Sequence, residues 1–378
     1  MGEHVRTVVG TLGVAALVAG LVGGAVPAAA APVAGPVVAY SGFSAGRVDG
    51  LYAVDTGTGR QWHVADGLST DVSWSPTGEQ LAWISYGADD LGHVQVARAD
   101  GGDRRQVDGD GDSRALAWSP DGTLGWFHRT AWAPTDCSAA DRLVRPDFVL
   151  RAPDGTRRTL GTVAPTARDL GFSPDGTTAV WRESGADVCG GGVDVLVAAD
   201  VATGRRGVVT GAEGTSGLSF SPDGTSVVLT RPSADGGDVV LVDLPTRTAR
   251  PVPTADAGEA SAVFVGDGAQ LVVVRTTAAG RRLVVVDRGG AVVRDLAEAP
   301  GHVEQLLASS DRSSVVVAGR SLPAADGTWQ DTRLWRQPLD GSPATPLSGN
   351  ATAGVFEAAV APWTSAAPAL QRRSRTRG

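Results

Sequence analysis

At 378 residues with 42% hydrophobic content, the chain has an ordinary globular composition, and its length alone would accommodate two or three domains. The formal net charge is −8 and every basic side chain is arginine, which leaves no basic surface of the kind that grips nucleic acid.

The N-terminus reads as a leader. Met1 to Arg6 is a short polar start, Thr7 to Val26 is an uncharged run of Val, Ala, Leu and Gly, and Ala28 to Ala31 offers small-residue cleavage sites. This is the pattern of a secretory signal peptide over residues 1–30, cut after Ala30. The competing reading is an uncleaved anchor, since the run approaches bilayer length, but its Gly and Ala content makes it weakly hydrophobic. With no Cys near the cleavage region, a lipoprotein anchor is excluded, and no later stretch is apolar enough to cross a membrane. A secreted, extracytoplasmic location is therefore expected.

After the leader, Val37 to Tyr40, Leu51 to Asp55 and Trp62 to Ala65 are strand-like, the last two joined by the turn DTGTGR. A repeat then begins. DVSWSPTGEQLAW starts at Asp71, LAWSPDGTLGW at Leu116, DLGFSPDGTTAVW at Asp169 and GLSFSPDGTSVVL at Gly217. Each copy is a short apolar run, a Ser-Pro-Asp-Gly turn and a second apolar run, which is a β-hairpin. Pro fixes the φ of the second turn position, Asp bonds back to the backbone, and Gly takes the φ > 0 position. Two degenerate copies follow, Ala262 to Arg275 with VGDG in its turn and Gln305 to Gly319 with SSDRS.

The turn markers Pro76, Pro120, Pro174, Pro222, Gly266 and Ser310 recur about every 44 to 54 residues, the period of a four-stranded propeller blade. Each unit is an inner strand, the SPDG turn, a second strand, a longer loop, a third strand, a Gly turn and an outer strand. The first unit lacks its inner strand, and Val355 to Ala361 supplies one from the far end of the chain. The expected fold is all-β: a seven-bladed β-propeller of four-stranded antiparallel blades over residues 37–363. A C-terminal strand completes the N-terminal blade and removes the exposed edges. Residues 364–378, ending in RRSRTRG, are expected to form a disordered basic tail.

The repeated apolar-x-apolar-Ser-Pro-Asp-Gly motif resembles the TolB-like, or WD40-like, β-propeller repeats of exported bacterial proteins. The resemblance covers essentially the whole mature chain and implies the propeller fold and a habit of binding proteins. TolB carries a separate N-terminal α/β domain that has no counterpart here, so its role in the Tol-Pal system does not carry over.

In such a ring the SPDG and Gly turns fall on one face. The second-to-third-strand loops and the blade-to-blade connections fall on the other, which varies more and is the expected working surface. Asp89, Asp90, His93, His128, Trp132 and His302 are its candidate binding residues, although the three histidines lie in separate units without metal-ligand spacing. Asp108, Asp110 and Asp112 alternate with glycines like the start of a calcium loop, but Ser119 stands where the clamping Glu belongs. At most a weakly bound calcium is expected, and otherwise no cofactor. Gly42 to Gly46 matches G-x-S-x-G, yet a strand follows it where a hydrolase needs a helix, so Ser44 is not expected to be catalytic. Nor are residues left for the hydrolase domain that prolyl-oligopeptidase-type enzymes pair with a propeller. Cys137 and Cys189 fall in corresponding loops of adjacent units and are expected to form a disulfide in an oxidising compartment. Trp74, Trp83, Trp118 and Trp181 read as packing between blades. The expected function is a monomeric secreted scaffold that binds a protein or glycan. The alternative is a metal-assisted propeller enzyme of lyase or lactonase type at the mouth of the central channel.

Overall fold

The computed structural model describes residues 37–44, 47–109, 111–130, 145–184, 193–232, 237–253, 258–277, 280–299, 302–320, 333–347 and 354–361. The leader and the basic tail lie outside them, as do Asp110, Trp132, Cys137 and Cys189. Among the described residues no helix is long and apolar enough to cross a membrane.

The described chain is a ring of seven four-stranded antiparallel blades. Blade 1 takes β1 (Val37–Ser44), β2 (Arg47–Asp55) and β3 (Gln61–Asp66). Blade 2 is β4 (Ser69–Trp74), β5 (Gln80–Tyr86), β6 (Gly92–Arg98) and β7 (Arg105–Gln106). Blade 3 is β8 (Asp112–Trp118), β9 (Leu124–Arg129), β10 (Asp147–Arg151) and β11 (Arg157–Thr162). Blade 4 is β12 (Arg168–Phe172), β13 (Thr178–Ser184), β14 (Asp194–Asp200) and β15 (Arg206–Val208). Blade 5 is β16 (Ser216–Phe220), β17 (Ser226–Arg231), β18 (Asp238–Asp243) and β19 (Thr248–Pro251). Blade 6 is β20 (Gly258–Val265), β21 (Gln270–Thr277), β22 (Gly280–Asp287) and β23 (Val292–Glu298). Blade 7 is β24 (His302–Ala308), β25 (Ser314–Arg320), β26 (Arg333–Pro338) and β27 (Thr345–Pro346). Finally β28 (Gly354–Val360) pairs antiparallel with β1, so blade 1 reads β28-β1-β2-β3 and the ring closes as its missing strand requires.

The repeated turn closes on itself. In the fifth blade Ser221 Oγ donates to Asp223 Oδ1 at 2.5 Å and accepts the Ser226 amide at 2.9 Å, while the same Asp223 oxygen accepts the Thr225 amide at 3.0 Å. Ser173 and Asp175 repeat this set in the fourth blade, and Ser309 and Asp311 in the seventh. The left-handed residue of the turn is Gly224 in the fifth blade but Arg312 in the seventh, at φ 55°.

Seven apolar clusters form the core, one at each junction between adjacent blades. Leu81 and Trp83 of β5 face blade 1, whereas Ala82 and Ile84 of the same strand face blade 3. A strand covered on both sides needs apolar residues at every position, which is why the second strands read as continuous apolar runs. Trp74, Trp83 and Trp181 are buried in these clusters, and Trp118 packs against one half-buried.

Candidate functional site

The six inner strands that precede an SPDG-type turn start two to four residues earlier than the apolar runs suggest, β4 at Ser69 rather than Val72 and β20 at Gly258 rather than Ala262. The reason is a one-residue bulge, present in all seven inner strands, that interrupts the alternation without ending the pairing. In four successive blades the bulge holds a left-handed residue: Asp71 (φ 53°), Ala115 (φ 48°), Asp169 (φ 57°) and Gly217 (φ 72°). Each lies five residues before its turn proline. A left-handed conformation costs a non-glycine residue about 1 kcal/mol, least for Asp and Asn.

Asp71, Asp169 and Gly217 face the central channel, a cavity of about 610 Å³ lined by all seven inner strands, whereas Ala115 is buried in the core between blades 3 and 4. The unpaired inner edges of the strands are stitched blade to blade by side chains. Ser73 Oγ accepts the Trp118 amide at 3.3 Å, Ser219 Oγ the Phe264 amide at 3.2 Å, and Gln305 Oε1 the Ala358 amide of β28 at 2.8 Å. Asp71 follows the same rule, accepting the Ala115 amide and, at 3.2 Å, the Thr70 hydroxyl. Burial nevertheless pushes its carboxyl up to about 6, aided by the negative charge of Asp169. Asp169 pairs with Arg182, whose Nη1 donates to the Thr215 carbonyl at 2.9 Å.

A second polar cluster occupies the junction of blades 2 and 3 on the variable face and gathers most of the sequence candidates. His93 Nε2 lies 3.2 Å from Asp89 Oδ2, and its Nδ1 accepts from Gln106 Nε2 at 3.2 Å. Since the amide can only donate, the network assigns the His93 proton to Nε2. The His93 bond and the Leu91 amide hold the Asp89 carboxyl below its ordinary value. Asp108, in the connection from blade 2 to blade 3, has a fully buried side chain. Its Oδ2 accepts the Val94 amide at 2.9 Å and the Ser113 hydroxyl at 2.6 Å, while Oδ1 is buried without a partner. Ser113 Oγ also lies 3.0 Å from His128 Nδ1, and with its one proton given to Asp108 it must accept there, which places the His128 proton on Nδ1.

Asp112 has a different environment. Burial pushes its carboxyl up, but Arg129 and the Gly92 amide, with Arg114, outweigh that and hold it below the ordinary range. Asp90 is an exposed left-handed residue (φ 57°) of the same loop as Asp89. His302 opens β24 on another blade. Among the described residues no group of three or more His, Cys, Asp or Glu is arranged to hold a metal. The sequence candidates did not include Asp71, Asp169 or Arg182; the available signal was the shared spacing of the two aspartates from their turn prolines. Ser44 ends β1, where the chain turns back to pair with Arg47 of β2.

No protein-family model matches the chain, and no curated protein does either. Among solved structures it is similar to TolB from Acinetobacter baumannii, at 17% identity over 87% of this chain and 83% of that one, with a TM-score of 0.49. It is similar to the β-propeller domain of the trilobed protease from Pyrococcus furiosus, at 10% identity over 80% and 87%, with a TM-score of 0.55. That propeller is described as having an open velcro topology, whereas here β28 closes the first blade. It is also similar to a prolyl endopeptidase, at 15% identity over 86% of this chain and 50% of that one, with a TM-score of 0.57. The chain thus spans about half the length of that peptidase, and at these identities the likeness is one of fold. With seven four-stranded blades, the SPDG hairpins and a C-terminal closing strand, that fold is a seven-bladed β-propeller.

Proposed function

We propose that this chain is an extracytoplasmic binding protein whose variable face, centred on the channel mouth, engages a partner protein. The observation that carries the reading is the asymmetry between the two faces. On the tight-turn face the polar groups of the turns satisfy one another: Asp121, Asp175, Asp223 and Asp311 each accept the amide two residues on at 2.9 to 3.0 Å. The outer turns do the same, with Asp200 accepting the Thr203 amide at 2.7 Å and Asp243 the Thr246 amide at 2.8 Å. The variable face carries the mouth of the polar channel and the Asp89, His93, Asp108 and His128 cluster, a concentration of oriented hydrogen-bonding groups on a rigid frame. The leader supports export.

The test is differential capture. The mature chain, immobilised and exposed to the extracytoplasmic fraction of its source, should retain a partner. That partner should be lost from a variable-face variant (Asp89→Ala, His93→Ala) and kept by a tight-turn-face variant (Glu79→Ala, Arg205→Ala). The opposite pattern would refute the assignment of the working face. Fractionation of the full-length and leader-deleted chains tests the location, and equal cytoplasmic retention of both would refute export.

A further inference from the structure

We infer that the seam between blades 2 and 3 carries, on the tight-turn face, a binding site for a doubly charged tetrahedral oxyanion of the phosphoryl class, formed by Arg105, Arg151 and Arg157. The site lies away from the variable face and stands independently of the function proposed above.

The register of the strands brings the three arginines together. In the third strand of a blade, the residue opposite the first apolar residue of the second strand packs toward the preceding blade. It is Ala97 in blade 2, Ala199 in blade 4, Val242 in blade 5 and Val286 in blade 6, each buried in the apolar cluster of its seam. Blade 7 has Gln337 there, also buried. Blade 3 alone of these places a charge at the position, Arg151, opposite Leu124. Arg157 stands directly across from Arg151 in β11, so both side chains leave the sheet on the side of blade 2. Arg105 of β7 comes from the other side, opposite Val96, which packs against blade 3.

Like charges opposite one another destabilise a sheet, so the arrangement works against the fold. Arg157 is held in place, with Nη2 donating to the Val107 carbonyl and the guanidinium stacked on Trp126 at 5.7 Å. Arg105 and Arg151 have side chains that make no hydrogen bond or ion pair among the described residues. By contrast Arg158, which holds the place of Arg105 in the next seam, donates to the Val201 carbonyl at 2.7 Å. Burial pushes the Arg151 guanidinium below its ordinary value and Arg105 and Arg157 push it further, with Asp154 acting the other way. Asp154 Oδ1 accepts the Thr156 amide at 2.8 Å within its own turn. The acids of the adjoining turns are likewise engaged, Asp121 by the Thr123 amide at 2.9 Å, and Asp100 and Asp103 by Arg98.

Three cations against the one carboxylate that acts on them leave two positive charges, the complement of a dianion. Guanidinium forks match phosphoryl oxygens in spacing and direction, and two of the three are uncommitted. Leu124 and Trp126, both buried, form an apolar floor that lowers the local dielectric and strengthens such contacts.

The test uses the mature full chain in chloride buffer near pH 7.5, where a phosphoryl group carries close to two negative charges. Titration calorimetry with inorganic phosphate should give one saturable site, about tenfold tighter than for dimethyl phosphate, which has one charge and two blocked oxygens. Arg151→Leu installs the kind of residue other blades carry. It should weaken phosphate binding by about tenfold or more and leave urea unfolding in phosphate-free buffer no less stable. Arg105→Gln, at an exposed position, should weaken binding likewise and keeps the test decisive if the Leu variant does not fold. Arg205→Ala, on blade 4, should leave the affinity unchanged. Phenyl phosphate binding as tightly as phosphate would identify a phosphoryl head carried on a larger molecule, and binding of inorganic phosphate alone the free ion; either result sustains the site. No saturable binding at millimolar phosphate, equal affinity for dimethyl phosphate, or an affinity untouched by Arg151→Leu and Arg105→Gln would overturn the inference.

Discussion

Replacing Asp71 by Asn should make the protein more stable at neutral pH, although it removes hydrogen bonds. The unfolded chain ionises this carboxyl near its ordinary 3.8 and the folded chain at about 6. Between those values the folded protein holds a proton that the unfolded chain has released, so rising pH lowers stability across roughly pH 4 to 6 and has no further effect through this group above it. A displacement from 3.8 to about 6 corresponds to about 3 kcal/mol in favour of the neutral acid. Asp169 shares part of that energy, and the Asn side chain retains only part of the bonding to Thr70 and Ala115, so the expected net gain is about 1 to 3 kcal/mol at pH 7.5. At pH 4 and below the difference should shrink to the small cost of exchanging a neutral acid for an amide. Asn is the right substituent because the residue is left-handed at φ 53°, where Ala would add strain. Urea unfolding followed by tryptophan fluorescence at pH 4, 5, 6 and 7.5 reads the effect directly. An Asn variant that is less stable at pH 7.5, or a difference that does not change between pH 4 and 7.5, would refute the reasoning.

Four further outcomes are expected. Arg312→Gly should stabilise by about 1 kcal/mol in urea unfolding, since it relieves a left-handed arginine whose Nη1 is buried without a partner in a turn where the other blades use glycine. Glu259→Ala should destabilise by about 3 to 5 kcal/mol, because it strands the Arg275 guanidinium that Glu259 Oε1 holds at 2.8 and 3.1 Å in a buried pair; the double variant with Arg275→Leu should recover much of the loss. Ser221→Ala should cost about 1 to 2 kcal/mol and raise the Asp223 carboxyl from about 2 toward its ordinary value, as read by NMR titration, because the Ser221 hydroxyl is the first cause of that depression. In the wild type this depressed carboxyl supports stability above about pH 4 and withdraws that support as the pH falls toward 2. Deleting the chain from Val355 onward should lower the melting temperature and cause association, since β1 loses its inner partner and Gln305 and Trp74 lose the Ala358 amide and Ala359 carbonyl they hold; unchanged melting and monodispersity would refute closure by β28.

The blades were legible because their determinants are local. Ser-Pro-Asp-Gly specifies its hairpin within five residues, and the apolar runs on either side can only be strands covered on both faces. The sixth and seventh blades, with Val265 or Arg312 at a motif position, were recovered from the period, and the closing strand from a missing place in the count. The channel site was not legible. An Asp immediately ahead of an apolar run looks like the end of a loop, and nothing in the pattern distinguishes that from a left-handed bulge inside a strand. The cluster between blades 2 and 3 was named residue by residue but not as a unit. His93 and His128 belong to different repeats, and only the stacking of blades, with the connection through Asp108 laid between them, brings both to one serine and carboxylate.

The stability of the ring and the chemistry of its axis have separate sources. Each of the seven junctions is sealed by its own apolar cluster, and none of those clusters includes Asp71 or Asp169. The bulges, the left-handed residues and the buried carboxylate all work against the fold, and they occur together at one level of the inner strands. Serine shows that a neutral side chain can do the stitching, since Ser73 and Ser219 hold neighbouring amides without a charge. The fold therefore does not require an ionisable group at position 71.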